Sequence, residues 1–366
     1  MKLHIPTGLL TLVISAMSFA SATNYIFTSN QKLGDLTDVG EIDIRGSYVE
    51  VDSVNGGEGV ELSCRSLREI YSPGGPAPEV ITDYPVTFKV NSNLVLNYSY
   101  VRGIDSSNVA TIIADDISSD AKLVINYAKV KALNGNVSIA GKLYDDGYIA
   151  ESSVTNTDLI AENGSINIGA YLTMEGGTIA AANDVNITNS TVTVNGISAQ
   201  NVNINEKGKL NIEEAARVEL GEVAVGAGAS LGINGALLVF NEESSITLAT
   251  GATLTAFDNV SFEFIMNADS ITDSGISFDI FAGIENLTDE KSLAIIADFE
   301  KAVAAGEIDI TLKSMNAEGE LIELDESSTN MSYKDGKLSI TAAPEPTTAT
   351  LSLLALAALA ARRRRK

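Results

Sequence analysis

The sequence contains little of the chemistry that enzymes commonly use. It has no tryptophan, one cysteine, Cys64, and one histidine, His4. A single cysteine cannot form an intramolecular disulfide, so the fold must depend on packing and hydrogen bonds. His4 lies in an N-terminal stretch that is typical of a cleaved signal. The mature chain is therefore expected to lack the imidazole that a Ser-His-Asp triad, a Cys-His dyad or a histidine-ligated zinc site requires.

Positive charge is also scarce. The chain has 24 Lys and Arg against 48 Asp and Glu, which gives a formal net charge of −24. All the acidic residues lie between residues 23 and 346. Such a chain repels nucleic acid and anionic lipid, and we exclude nucleic acid as a partner. Acidity spread over a large surface is typical of a solvating surface, and cation-bridged contact with a matrix is the functional alternative.

The N-terminus has the three parts of a secretory signal peptide. Met1-Lys2 is a small positive region, residues 9–19 are a short apolar region, and Ala20 and Ala22 form an A-x-A cleavage site. We predict a signal peptide over residues 1–22 that is cut after Ala22. The partners at this stage are the Sec translocon and signal peptidase, and the chain is exported.

The C-terminus, residues 343–366, combines a proline motif, an apolar run and a basic end. Residues 347–361 are rich in Leu and Ala, and as a helix they would span roughly 22 Å, less than the ~30 Å hydrocarbon core. We therefore predict a short, weak transmembrane helix whose basic end stays in the cytoplasm. The motif is Pro344, Glu345 and Pro346, and the orienting cations are Arg362, Arg363, Arg364, Arg365 and Lys366.

This order of elements closely resembles the PEP-CTERM sorting signal of Gram-negative bacteria. The resemblance covers only the last 24 or so residues. It implies recognition by exosortase, a membrane protease, a transient stay in the inner membrane, and delivery to the cell surface, outer envelope or exopolysaccharide. An ordinary tail anchor with a stop-transfer cluster is the alternative, and the sequence leaves open whether the helix is cut or retained.

Between the signals, residues 23–250 alternate apolar and polar side chains over short runs, which predicts half-buried strands. Asn134-Gly135 to Gly141 resembles Asn163-Gly164 to Gly169, and the pattern returns near Asn183 and Asn201. Intervals of 29, about 20 and about 17 residues fit the turns of a coil whose loops vary in length. We predict an all-β fold built on an irregular right-handed parallel β-solenoid, with a sandwich as the alternative. The region resembles adhesin and autotransporter passengers.

Residues 251–342 have a different composition and predict a small α/β module that closes the solenoid. Aromatic-rich strands precede a helix from Asp289 to about Ala304, with Thr288 as its cap and Gly306 as its stop. A hairpin with an Asp335-Gly336 turn follows. An uncovered strand edge invites aggregation, so the expected role is structural.

Several motifs resemble functional sites but fit simpler explanations. Gly228 to Gly232 matches G-x-S-x-G, yet Ser230 would have no histidine base. Residues 56–62 resemble one altered copy of a calcium-binding repeat, which needs several copies. Asp115-Asp116 and Asp145-Asp146 are paired carboxylates, but Asp in turns is more common. We predict no catalytic residue, metal or cofactor.

Two functions remain. The first is an exported, non-catalytic surface or matrix protein, adhesin-like, with extracellular polysaccharide as a further partner. The second is a polysaccharide-active enzyme on a β-helix, a carboxylate glycosidase or a calcium-dependent lyase. Without tryptophan, sugar rings would have to stack on tyrosines such as Tyr98, Tyr100, Tyr144 and Tyr148.

Overall fold

Short runs of alternating apolar and polar residues form strands that bury one side each. A computed structural model describes residues 11–13, 22–57, 59–69, 82–214, 217–267, 276–315, 320–323 and 329–342. In this part of the chain the strands wind into a parallel β-solenoid, which confirms the predicted coil and rules out a sandwich. Each complete turn carries three strands, so the solenoid has three faces.

Face 1 consists of eleven parallel strands, one from each turn. Residues 11–13 (Thr11–Val13) add a short antiparallel strand beside the first of them. The parallel strands are Thr23–Phe27, Val39–Arg45, Glu61–Arg65, Ser99–Arg102, Leu123–Asn126, Ser152–Thr155, Leu172–Glu175, Thr191–Val194, Lys209–Glu213, Ser230–Asn234 and Thr253–Asp258.

Faces 2 and 3 are joined, because Gly196–Asn205 and Val218–Val225 run around the corner between them. The other strands of face 2 are Gln31–Leu33, Tyr48–Val51, Val86–Val90, Ala110–Ala114, Ala128–Ala132, Asp158–Ala161, Thr178–Ala181, Leu237–Phe240, Ser261–Asn267 and Ile310–Met315. Those of face 3 are Leu94–Val95, Ile117–Ser119, Val137–Ile139, Ile166–Ile168, Asp184–Thr188 and Ser245–Leu248.

The core consists of aliphatic stacks along the solenoid axis. In-register residues of successive turns place side chains of similar shape on top of each other, so each turn completes the burial of the last. One such stack on face 3 is Ile139, Ile168, Ile187, Ile204, Val225 and Leu248, all at most 2 % exposed.

The internal repeat seen in the sequence corresponds to successive turns of face 3. Asn167 donates from Nδ2 to Ser138 Oγ, 29 residues earlier, and Asn186 donates to Asn167 Oδ1, 19 residues earlier. Asn203 then donates to Asn186 Oδ1 across 17 residues. The irregular intervals in the sequence are therefore the lengths of the turns, and the outward asparagines form a ladder.

Two hairpins leave the coil. Leu67–Glu69 pairs antiparallel with Thr82–Tyr84, and Lys142–Leu143 pairs with Ile149–Ala150. They lengthen individual turns while the face strands on either side stay stacked, because a loop can leave the coil without disturbing the register.

The C-terminal module covers the last turns. Its described residues form a 3₁₀ helix, Ile284–Asn286, and an α-helix, Glu290–Ala305. Leu321–Glu323 pairs antiparallel with the last face 2 strand, and a three-stranded sheet is formed by Ile276–Asp279, Thr329–Lys334 and Lys337–Ala342. Thr253–Asp258 and Ile310–Met315 stack on the coil, so parallel stacking continues beyond residue 250.

The helix begins one residue later than predicted. Asp289 is its N-cap, because the Asp289 carboxylate accepts a hydrogen bond from the backbone N of Ser292 at 2.8 Å, and the predicted cap Thr288 lies outside the helix. Gly306 ends it in a left-handed conformation, φ 69°, as predicted.

Among the described residues, no helix has the length and apolar character needed to cross a membrane. The predicted transmembrane helix, residues 347–361, lies outside them.

Candidate functional site

The predicted sorting residues lie almost entirely outside the described part of the chain. This holds for Ala20 and for the set Pro344, Glu345, Pro346, Arg362, Arg363, Arg364, Arg365 and Lys366. Ala22 is described, and it is exposed directly before Thr23, where the first parallel strand begins. Cleavage after Ala22 would leave that strand intact.

The paired carboxylates have local structural partners. Asp115 Oδ1 accepts a hydrogen bond from Asn134 Nδ2 at 2.7 Å, and Asp116 Oδ2 accepts one from the backbone N of Asn136 at 3.0 Å. Asp146 accepts from the backbone N of Tyr148 within its hairpin. These contacts are typical of turn residues, and no group of three or more His, Cys, Asp or Glu in the described ranges is placed to hold a metal ion.

Ser230 does not form a nucleophile elbow. It opens a face 1 strand, Ser230–Asn234, and its side chain is 8 % exposed. An elbow needs a sharp turn from a strand into a helix, and here the chain enters a strand.

Buried charges in the solenoid are paired with cations. Glu263, 4 % exposed, is 2.8 Å from Arg217 Nη2 and 2.6 Å from Lys313 Nζ, and these contacts lower the pKa of its carboxyl. Glu50 accepts from Lys89, Asn91 and Tyr48, which lowers its pKa to about 2. A general acid needs a raised pKa, so both groups are suited to holding turns together.

A depression of about 740 Å³ lies at the corner of faces 2 and 3 near the C-terminal module. Its Arg217 is already bonded to Glu219 and Glu263. Among the described residues that line it, the other charged groups are the carboxylates Glu222 and Glu243. The described lining of this depression is therefore acidic, and its cation, Arg217, already pairs with carboxylates.

A second depression runs along face 1. Two shallow hollows of about 510 and 330 Å³ share Glu151 and Thr173, so they form one groove, called here the face 1 groove. Its floor follows a line of in-register outward residues, which extends roughly 19 Å over four strand spacings. That line is Val124, Ser153, Thr173, Thr191 and Lys209.

Exposed tyrosines stand at one end of the groove. The hairpin Lys142–Leu143/Ile149–Ala150 carries Tyr144 and Tyr148, whose ring centroids are 5.9 Å apart. The hydroxyl of Tyr144 contacts that of Tyr98, which lies at the edge of face 1 with φ 44°. Tyr148 lines the groove and is 57 % exposed. The hairpin thus brings together three of the four tyrosines considered in the sequence as platforms for sugar rings.

The groove is lined by lysines that have no carboxylate partner among the described residues. Lys122, Lys207 and Lys209 are exposed, and none forms an ion pair with a residue that the structure describes. Glu151 is the one acidic residue among the described lining. On a chain of net charge −24, this groove is locally basic.

Ser190 borders the smaller hollow, but its side chain points away from the groove. It is 6 % exposed and lies on the same side of the chain as the buried Val192, whereas Thr191 between them faces outward. Its Oγ forms no hydrogen bond within the described structure and is covered by neighbouring atoms, so it does not contribute to the groove surface.

The sequence did not single out these lysines. Lys122 and Lys207 lie 85 positions apart, and only the stacking of turns brings them to one face. A signal was present, since Lys122 directly precedes the strand Leu123–Asn126 and Lys207 lies two residues before the strand Lys209–Glu213. The register of those strands could not be read from the repeat alone.

Comparison with known proteins gives no match. No protein-family model matches the chain, and neither the curated proteins nor the solved structures contain a significant similarity to it.

Proposed function

We propose that this protein is an exported, non-catalytic β-solenoid that functions as a structural or adhesin-like component of the cell surface or extracellular polysaccharide. The observation that carries the proposal is that the buried carboxylates Glu50 and Glu263 pair with cations of other turns. Glu50 is bonded to a lysine of another turn, and Glu263 to an arginine and a lysine of other turns. These two carboxylates, whose pKa is lowered, therefore hold the coil together. An eleven-turn coil with regular faces offers an extended surface for display.

Delivery is the second part of the proposal. The N-terminal signal and the tail with Pro344-Glu345-Pro346 resemble an export signal and a PEP-CTERM sorting signal. The partners are the Sec translocon, signal peptidase and an exosortase-type protease, with a transient stay in the inner membrane. We also take the coil to be right-handed, because crossovers between parallel strands of one sheet almost always are.

A sorting experiment tests delivery. Pro344-Glu345-Pro346 is replaced by three alanines, and an internal tag follows the protein through inner-membrane, surface and medium fractions. The expected result is unprocessed protein retained in the inner membrane. Unchanged delivery together with an unchanged C-terminal mass would contradict the exosortase assignment.

The alternative function, a polysaccharide-active enzyme, is tested separately. Purified protein is incubated with neutral and uronate-containing glycans, and reducing ends and unsaturated products are measured. The proposal expects neither. Product formation that is lost when Glu151 or Asp116 is changed to Ala would replace the non-catalytic proposal with the enzymatic one.

A further inference from the structure

We propose that the face 1 groove binds an anionic polysaccharide, with uronate-type carboxylates at its lysines and sugar rings against its tyrosines. This inference rests on the proposed function and specifies its ligand. The groove combines three features that recur in sites for such chains: exposed aromatic faces, a floor of hydroxyl groups, and cations free to bind a carboxylate.

The aromatic end provides the apolar contact. Tyr148 is more than half exposed, and its neighbour Tyr144 is positioned by the Tyr98 hydroxyl and by Lys142, whose Nζ lies 5.6 Å from the Tyr144 ring centroid. A tyrosine ring buries a large apolar area while its hydroxyl stays wet, which suits a ligand with apolar ring faces and polar edges.

The floor of the groove provides neutral hydroxyl groups that can form hydrogen bonds with a ligand. Ser153, Thr173 and Thr191 follow one another in register on the outward side of face 1. Hydroxyl groups both donate and accept, so a row of them matches a ligand rich in hydroxyls. The row is parallel to the solenoid axis, so an elongated chain can contact successive turns.

Charge selects an anionic ligand. Lys122, Lys207 and Lys209 outnumber Glu151 in the lining, although the chain as a whole is strongly acidic. A nucleic acid carries a phosphate on every nucleotide and few free hydroxyls, whereas a uronate chain carries hydroxyl groups beside the carboxylate on every ring, which matches both the lysines and the hydroxyl floor. The groove therefore favours a glycan over a nucleic acid or an anionic membrane.

The test is affinity electrophoresis of the full-length chain in gels that contain polygalacturonate, alginate or neutral dextran. We expect retardation by the two anionic glycans and little by dextran, and weaker retardation as ionic strength rises. The double variant Lys207→Gln/Lys209→Gln should weaken binding about fivefold, because two surface charge contacts are lost. Tyr148→Ala should also weaken it, and Glu151→Gln should strengthen it.

Matched controls are available on the same chain. Lys129→Gln/Lys291→Gln removes two positive charges away from the groove, and Tyr84→Ala removes a tyrosine of similar exposure from the first hairpin. Both should bind as the unchanged protein does. Circular dichroism and the urea midpoint of each variant establish that the fold is retained.

Three results would overturn the groove assignment: equal retardation by dextran, no effect of the Lys207 and Lys209 changes, or no binding to either anionic glycan. Tighter binding to single-stranded DNA or to anionic phospholipid vesicles than to alginate would also do so. Products released from the same glycans are measured in parallel. If products appear, the non-catalytic function is wrong. If the unchanged protein neither binds the anionic glycans nor releases products, only the assignment of the groove as a glycan site is wrong.

Discussion

Gly221 lies where two successive turns approach too closely for any side chain. A Cβ at this position would overlap the carbonyl oxygen of Gln200, although the backbone of Gly221 does not require a positive φ. The close approach occurs at the corner of faces 2 and 3, where a single strand bends around the coil. Packing between turns, and not backbone conformation, therefore requires glycine here.

We predict that Gly221→Ala destabilises the protein by about 1 to 3 kcal/mol, the usual cost of forcing extra atoms into a packed region. Urea unfolding followed by circular dichroism measures the change. Gly34→Ala is the matched control, because the nearest atom to its added Cβ, Asp52 Oδ2, is 3.9 Å away. Its midpoint should hardly move, and equal effects of the two substitutions would refute the explanation.

Glu50 gives stability a pH dependence. Lys89, Asn91 and Tyr48 all bond to its carboxylate and lower its pKa from 4.5 to about 2, so the folded state binds its proton more weakly than the unfolded state. The stabilisation is then complete above about pH 4.5. It is lost as the pH falls through the folded pKa toward 2.

We therefore expect Glu50→Gln to have a lower Tm than the unchanged protein at pH 6 and a diminishing difference below pH 4.5. Thermal scans between pH 2.5 and 7 measure this. Glu307→Gln, at an exposed position without an ion pair in the described structure, should follow the unchanged curve. A Tm difference for Glu50→Gln that is constant across this range would count against the linkage.

At the scale of elements, a buried hydroxyl links the α-helix to the coil by hydrogen bonds. Ser292 is fully buried, and its Oγ accepts a hydrogen bond from the backbone N of Leu254 at 2.9 Å while also lying 2.9 Å from the Asp289 carboxylate. The same serine thus connects the helix N-terminus with the last face 1 strand. Sequence patterns located the helix to within a residue, but they contained no information about this contact.

Ser292→Ala should destabilise the protein by about 1 to 3 kcal/mol, because it removes the acceptor of a buried backbone N–H. The urea midpoint provides the measurement. Thr288→Ala changes the exposed residue that the sequence favoured as the cap, and it should alter stability by less than about 0.5 kcal/mol. If the effects were reversed, Thr288 would be the functional cap after all.

Strands were the best-predicted elements, since alternation directly reports which side is buried. The runs at Val185 and Val192 became strands with buried valines, as expected. Boundaries were less accurate at corners. Residues 94–98 alternate as one strand would, yet the strand is Leu94–Val95 and Tyr98 turns the corner with a positive φ. Alternation continues through a corner, so it cannot locate one.

At the scale of the whole molecule, the C-terminal module closes an open stack of strands. Phe257 of the last face 1 strand packs against Phe299 of the helix at 5.1 Å and against Phe281 at 4.7 Å between ring centroids. Without these contacts, aromatic surface and unpaired strand edges of the last turns would face water.

We predict that a chain ending at residue 267, which keeps the coil strands Thr253–Asp258 and Ser261–Asn267 but lacks the covering module, aggregates, whereas one ending at residue 342 stays monodisperse. Light scattering and size-exclusion chromatography at several concentrations distinguish the two. A monodisperse, folded product ending at residue 267 would show that the coil does not need the module for its solubility.

The sequence by itself determined that the chain is built of short half-buried strands in irregular turns, with one helix near the end and no histidine beyond the expected signal. These are local properties, fixed by periodicity and composition. Only the tertiary structure decided which turns are adjacent and in which register. Adjacency places Lys122, Lys207 and Tyr148 along one groove and pairs Glu263 with Arg217 and Lys313. The physical reason is that stacking joins residues one turn apart, and the loops that leave the coil make each turn a different length.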